Sequence, residues 1–217
     1  MDAADEIKAR IAELRLGGHA AAWNAAGFEV VDGVTRIGTV PVRLGSEERG
    51  WTLDGPGSAD FDGLPTELGP APQDQAAPEH PIGALSIDHV VVFTPSLERT
   101  TEAFEGQGIR CRRVREVGPP EQQLRQGFFR FGEVIVEMVE VPEEQAGPDG
   151  AARFWGLTVT VADIDGAVAD LGPHCSSVRD AVQEGRRIAT IKREAGLGLP
   201  VALISPEPSG LPPVRRR

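Results

Sequence analysis

The chain carries no GxSxG nucleophile elbow, no GxGxxG, no P-loop and no HExxH. Serine-hydrolase, dinucleotide-binding, P-loop and zincin chemistry therefore have no motif to rest on. Cysteine is scarce: Cys111 and Cys175 lack CxxC spacing, which argues against a disulfide framework and fits a reducing compartment. Long apolar runs are missing too, and Val90-Val91-Val92-Phe93 is far short of a membrane span. The opening Met-Asp-Ala-Ala-Asp-Glu is acidic and lacks an apolar h-region, so no signal peptide is expected. Lysine occurs only at Lys8 and Lys192. Nearly all positive charge is thus guanidinium, suited to bidentate, planar anion contacts where it is ordered.

What is present is ordinary for a soluble globular protein: 217 residues, 40% apolar and 25% charged, enough for one large or two small domains. The net charge of −11 argues against nonspecific binding to nucleic acid or anionic lipid, which both need a basic surface. The basic tail Arg215-Arg216-Arg217 is too short to reverse this. The expected location is cytoplasmic.

A repeat organises the chain. Arg36-Ile37-Gly38-Thr39-Val40-Pro41-Val42-Arg43-Leu44 returns 94 residues later as Arg130-Phe131-Gly132-Glu133-Val134-Ile135-Val136-Glu137-Met138, a separation that suits a supersecondary unit plus linker rather than a solenoid. A third, weaker copy is Leu199-Pro200-Val201-Ala202-Leu203-Ile204. At the one position where a charge faces along the strand, the copies hold Arg43, Glu137 and Ala202 in turn, so any chemistry is unevenly distributed among the units.

Periodicity supplies the elements between. Ile7, Ile11 and Leu14 at helical spacing, ended by Gly17-Gly18, predict a helix over 4–16. A short helix follows at 20–26, and Asp32-Gly33 marks a hairpin. The stretch from about 54 to 84, with Pro65, Pro70, Pro72, Pro78 and Pro81, reads as an extended linker. Beyond it come a strand at 87–93, a helix capped by Ser96 with Leu97, Thr101 and Phe104 on one face, a strand over 109–117, a loop at Gly118-Pro119-Pro120, and a hairpin of 127–131 with 134–141. The same order then recurs: strand 155–161, helix 164–171, and strands at 177–181, 187–192 and 199–204. Residues 18–53 supply it without its first strand. The expected fold is α+β: paired βαβββ modules forming a cup-shaped mixed sheet, plus an N-terminal helix and partial αβββ unit. The expected divisions are 1–53, a linker at 54–84, a first module at 85–142 and a second at 143–217.

Ile87-Asp88-His89-Val90-Val91-Val92-Phe93-Thr94-Pro95-Ser96-Leu97-Glu98, with its following helix, Gly turn and the strand Val136-Glu137-Met138-Val139, resembles the vicinal oxygen chelate superfamily. This superfamily includes glyoxalase I, extradiol dioxygenases and bleomycin-binding proteins. Trp155-Gly156-Leu157-Thr158-Val159-Thr160-Val161-Ala162-Asp163-Ile164-Asp165 is similar to the same strand–turn–helix opening. The resemblance implies a cup holding a divalent metal between a first-strand ligand and a last-strand carboxylate of each module. His89 and Glu137 match those positions in module one, whereas module two offers Gly156 and Ala202. Two ligands out of four make a poor zinc or non-haem iron site. No cofactor is therefore expected; a divalent metal, if bound, would use His89 and Glu137.

Single residues keep alternatives open. His89 is a metal ligand, a general base or an ordinary hydrogen-bonded strand histidine; His19, His80 and His174 fall outside cup-facing strands. Glu137 shares a face with Ile135 and Val139, toward either the cup or an arginine, with Arg43, Arg130, Arg186 and Arg187 as candidates. Phe129 and Trp155 are the chosen aromatic wall of a ligand pocket, from a set that includes Phe128, Phe131 and Phe154 and in which core roles are common. Asp163 and Asp165 read as helix-start carboxylates. Gly185-Arg186-Arg187 reads as a turn leading into a strand, its arginines either a clamp for an anionic ligand or, as the favoured reading, a solvated ion-pair face. The leading functional expectation is a glyoxalase-like protein binding a small organic molecule, catalysis left open. The rivals are a divergent metal-dependent lyase, isomerase or dioxygenase using His89 and Glu137, and a protein-interaction module. Expected partners are a small-molecule ligand and, as an open alternative, a second copy in a homodimer.

Overall fold

The computed structural model describes residues 8–72, 76–119 and 123–208. The start of the 4–16 segment, Pro120 and the basic tail lie outside the described residues. Two mixed sheets, of five and eight strands, organise the described residues.

The C-terminal sheet contains two βαβββ modules. In the first, β6 (Ala84–Thr94) leads through α2 (Leu97–Gly106) to β7 (Arg113–Val117), β8 (Leu124–Phe131) and β9 (Val134–Glu140). The second runs β10 (Arg153–Val161), α3 (Ile164–Leu171), β11 (Arg179–Asp180), β12 (Arg187–Ile191) and β13 (Val201–Ile204). The order β11-β12-β13-β10-β6-β9-β8-β7 joins them through antiparallel β6 and β10, with β9 parallel to β6 and β13 parallel to β10. Local chemistry sets the helix starts. Ser96 accepts from the Arg99 amide, and Asp163 accepts from those of Asp165 and Gly166, each satisfying donors that the first helical turn leaves unpaired. On α2 the buried set is Leu97, Thr100 and Phe104; Thr100 replaces Thr101, one residue round the helix.

The N-terminal sheet comprises β1 (Arg10–Arg15), β2 (Val34–Ile37), β3 (Val40–Arg43), β4 (Gly50–Asp54) and β5 (Thr66–Leu68), with α1 (Ala20–Ala25) between β1 and β2. Residues 10–15 are therefore a strand, not the expected helix. The reason is a β-bulge. Ile11 pairs with Leu53 and Glu13 with Thr52, leaving Ala12 as the extra residue, so Ile11 and Leu14 both reach the core while three apart in sequence. A bulge thus imitates helical spacing. The Pro/Gly-rich stretch is also more structured than expected: it contributes β5 to the sheet, and Phe61 and Leu64 to the core.

With β1 restored, the N-terminal order β2-β3-β1-β4-β5 reproduces β8-β9-β6-β10-β13 strand for strand and direction for direction. The two copies of the repeat are equivalent hairpins. Ile37 pairs with Val40 and Phe131 with Val134 across two-residue loops whose first members, Gly38 and Gly132, have φ of 60° and 62°, the positive φ that a type II′ turn requires there. One continuous core lies behind both sheets. Trp51 packs against Phe131 and Phe154 with ring centroids 5.3 and 5.0 Å away, and Trp23 Nε1 donates to the Leu197 carbonyl oxygen at 3.2 Å.

Candidate functional site

A cavity of about 700 Å³ opens on the face of the C-terminal sheet away from that core. Strand alternation selects its lining. In β9 the side chains of Val134, Val136 and Met138 are buried in the core, so Ile135 and Glu137 project to the other side and line the cavity. Cross-strand register adds Phe128 opposite Glu137 and Arg130 opposite Ile135.

A second bulge assembles the chemistry. His89 pairs with Thr158 but Ile87 with Val159, which leaves Asp88 as the extra residue of β6. Asp88 and His89, neighbours in sequence, both line the cavity as a result, the re-aiming that bulges perform beside sites. His89 Nδ1 lies 2.8 Å from Asp88 Oδ2; an ionised carboxylate only accepts, so Nδ1 carries the proton. His89 Nε2 lies 3.5 Å from Glu137 Oε2, and Gln126 Nε2 donates to Glu137 Oε1 at 2.7 Å. Behind Asp88, Arg186 is 7% exposed. Its Nη1 reaches Asp88 Oδ1 at 2.6 Å while Nε donates to the Ser205 carbonyl oxygen at 2.8 Å. Burial pushes the Asp88 carboxyl up, but hydrogen bonds and charges from His89 and Arg186 outweigh it and hold the group below its ordinary value. The result is a carboxylate kept ionised against an imidazole, an arrangement suited to orienting a general base.

The structure brings His89 and Glu137 together in one concavity. Phe129 does not line it: it is 1% exposed and packs on Phe104 at a centroid distance of 4.9 Å, because alternation gives the cavity to Phe128. Trp155 stands apart as well. It is the extra residue of a bulge in β10, stacks on Phe93 at 4.8 Å and joins Val91, Val139 and Val141 in a separate small apolar cluster. None of the four candidate arginines is paired with Glu137: Arg43 binds Glu13, Arg186 binds Asp88, Arg187 binds Asp165, and Arg130 has no ion pair among the described residues. Arg186 is consequently a buried member of the site rather than part of a solvated ion-pair face. His80 is buried, with Nδ1 accepting from the Glu29 amide. The sequence reading missed Asp88, Gln126 and the β7 arginines, and gave Arg186 the wrong partner; the run Arg110-Cys111-Arg112-Arg113-Val114-Arg115 in so acidic a chain is the signal for the β7 arginines.

Register locates the positions that the resemblance assigns to metal ligands. Ser96 and Asp163 cap equivalent helices, and His89 and Gly156 each stand seven residues before them. In the parallel pairs Val91 faces Glu137, and Thr158 faces Ala202. Gly156 and Ala202 therefore hold the second-module positions and supply no donor. A side chain at 156 would also be crowded, since a Cβ there meets the Pro200 carbonyl oxygen at 3.0 Å. Among the described residues no cluster of three or more His, Cys, Asp or Glu is arranged to hold a metal ion. The donor set does not fit the superfamily's metal centre. In the N-terminal sheet the corresponding positions hold Glu13, Arg43, Gly50 and Glu67, and Arg43 closes on Glu13 through bonds of 2.9 and 3.2 Å.

No protein-family model matches the chain, and no curated protein matches it. Solved structures with a similar fold include methylmalonyl-CoA epimerase from Mycobacterium tuberculosis, with 18% identity over 58% of this chain and 91% of that one and a TM-score of 0.45. A hypothetical protein from Bacillus halodurans shows 14% identity over 58% and 96%, TM-score 0.45. Streptomyces coelicolor methylmalonyl-CoA epimerase in complex with 2-nitronate-propionyl-CoA shows 19% over 56% and 97%, TM-score 0.44. The paired βαβββ modules of the eight-stranded sheet are the architecture that the resemblance implies. Fold alone does not assign an activity.

Proposed function

We propose that the cavity of the C-terminal module pair binds a small organic molecule, which contacts His89 and Glu137, and that it does so without the superfamily's tightly held metal. The observation that carries this reading is the convergence of Asp88, His89 and Glu137 in one cavity while Gly156 and Ala202 occupy the other chelating positions. Asp88 orients His89 as a proton acceptor, and Glu137 is a second proton-transfer group beside it. The free thiols of Cys111 and Cys175 support the expected reducing, cytoplasmic setting.

The test is an amide NMR titration with a set of small polar organic compounds. Compounds that bind should shift the resonances of His89, Ile135, Glu137 and Phe128 together, and His89→Ala should weaken them. Binders mapping elsewhere would reject the site. Metal dependence is tested separately: a metal that binds only the folded state stabilises it by roughly 2.7 kcal/mol at a hundredfold excess over Kd. A zinc, iron or manganese melting shift of that order, abolished by His89→Ala, would overturn the metal-free reading.

A further inference from the structure

The cavity is chemically lopsided. Its β7–β8 wall presents Arg113, Arg115 and Arg130, in a protein whose net charge is −11. Arg113 and Arg130 are exposed and form no ion pair among the described residues. Arg115 donates to the neutral amide of Gln126 at 2.6 Å and lies over the Phe128 ring at 5.0 Å. The acids that line the cavity are not on this wall: Asp88 on β6 is paired with Arg186, Glu137 on β9 is held by Gln126 and approaches His89, Glu133 is in the β8–β9 turn, Glu184 in the β11–β12 turn and Glu207 beyond β13.

Register fixes how these cations are grouped. Arg113 faces Phe128, and Arg115 faces Gln126, so both stand on the cavity side of β7, one pleat repeat apart, roughly 7 Å. Arg130, two residues on from Phe128, is the diagonal neighbour of Arg113, roughly 7–8 Å away across the strands. Guanidinium groups at the ends of flexible side chains with these spacings can converge on one anionic group, which each can bind in a bidentate, planar manner. Like charges held together without a counter-charge are unfavourable, and an anion relieves them.

Resting on the proposed ligand-binding role of this cavity, we infer that the ligand is an anion: its carboxylate or phosphate group is held by Arg113 and Arg130, with Arg115 in support. The rest of the molecule runs over Phe128 and Ile135 toward His89. β8 and β6 are separated by β9, which places His89's strand about 10 Å from that of Arg130. A ligand with its anionic group at one end and its reacting carbon toward the other spans this distance together with the two side chains.

The probes are glutarate, its neutral diamide glutaramide, and inorganic phosphate, read by arginine Nε NMR resonances and by the amides of His89 and Glu137 in the full chain. Glutarate or phosphate should move the Arg113 and Arg130 signals, while glutaramide should not. Whichever of the two anions is the stronger identifies a carboxylate or a phosphate as the preferred group. Arg113→Gln with Arg130→Gln should weaken anion binding roughly tenfold or more; both side chains are exposed, so the fold should persist, and unchanged amide dispersion verifies that. Equal binding of glutarate and glutaramide, both moving His89, would overturn the anion assignment and leave the cavity's ligand-binding role standing. Anion binding undiminished in the double variant, or no arginine response to either anion, would also overturn it.

Discussion

Replacing Arg186 by methionine should be among the most damaging single changes at the site. The guanidinium is 7% exposed and its partner Asp88 has a side chain 12% exposed, so the loss strands a carboxylate largely out of water. Breaking a buried pair in this way costs roughly 3–5 kcal/mol. Asp88 keeps His89 at 2.8 Å, which points to the lower end, about 3 kcal/mol, with the lost bond to the Ser205 carbonyl oxygen included. Urea unfolding at neutral pH measures this. The pH dependence has a definite sign. Asp88 is depressed in the folded protein, so its contribution is present above the unfolded value of about 3.9 and is lost as pH falls through the folded value. The gap between wild type and Arg186→Met should therefore be full at neutral pH and narrow in acid. Asp88→Asn should cost less in the Arg186→Met background than in wild type, because the stranded charge is already gone. A loss below about 1 kcal/mol at neutral pH, the level of an exposed pair, or a gap that does not change on acidification, would refute the buried-pair reasoning.

Glu137→Gln preserves shape, and its partners are the amide of Gln126 and an imidazole rather than an arginine; thermal unfolding should show a change of about 1 kcal/mol or less, while ligand binding alters. A loss near 4 kcal/mol would mean an unrecognised buried cation. Gly156→Ala places its Cβ 3.0 Å from the Pro200 carbonyl oxygen and should destabilise by roughly 1–3 kcal/mol; a neutral or stabilising result in chemical denaturation would show that β13 yields easily. Trp23→Phe removes the bond to Leu197 and part of a fully buried ring, for an expected loss of about 1–3 kcal/mol in urea unfolding; no loss would mean that this link between the two halves carries little stability.

How much was legible in the sequence follows from which signals are local. Helix α3 runs from Ile164 to Leu171 as expected, because Asp163 caps it through contacts two and three residues away. The Arg36 and Arg130 repeats were recognisable for the same reason, since Gly38 and Gly132 each set a turn whose demands lie within a few residues. Bulges are different: they arise from pairing between strands, and a single chain does not reveal its partner. At Ala12 the bulge made a strand look helical. At Asp88 the same device put Ile87 and Val90 three apart, but the β-branched run that follows still announced a strand, so only the reach of Asp88 into the cavity was lost. Arg186 could not be placed because its contacts to Asp88 and Ser205 are made across the fold. Phe129 was a phase error that the sequence itself could have avoided: Val134, Val136 and Met138 fix the core face of β9, and the two-residue turn at Gly132 puts Phe131 opposite Val134, hence Phe129 with the core and Phe128 with Glu137. Misreading β1 then hid the correspondence that explains why the two halves differ. Glu13 stands where His89 stands and Arg43 where Glu137 stands, and in the N-terminal half the two side chains neutralise each other. Glu137 is held by the neutral amide of Gln126 and a 3.5 Å approach to His89, with no arginine closed on it, and can still serve a ligand; an ion pair closed on itself between Glu13 and Arg43 has its strongest valences already occupied.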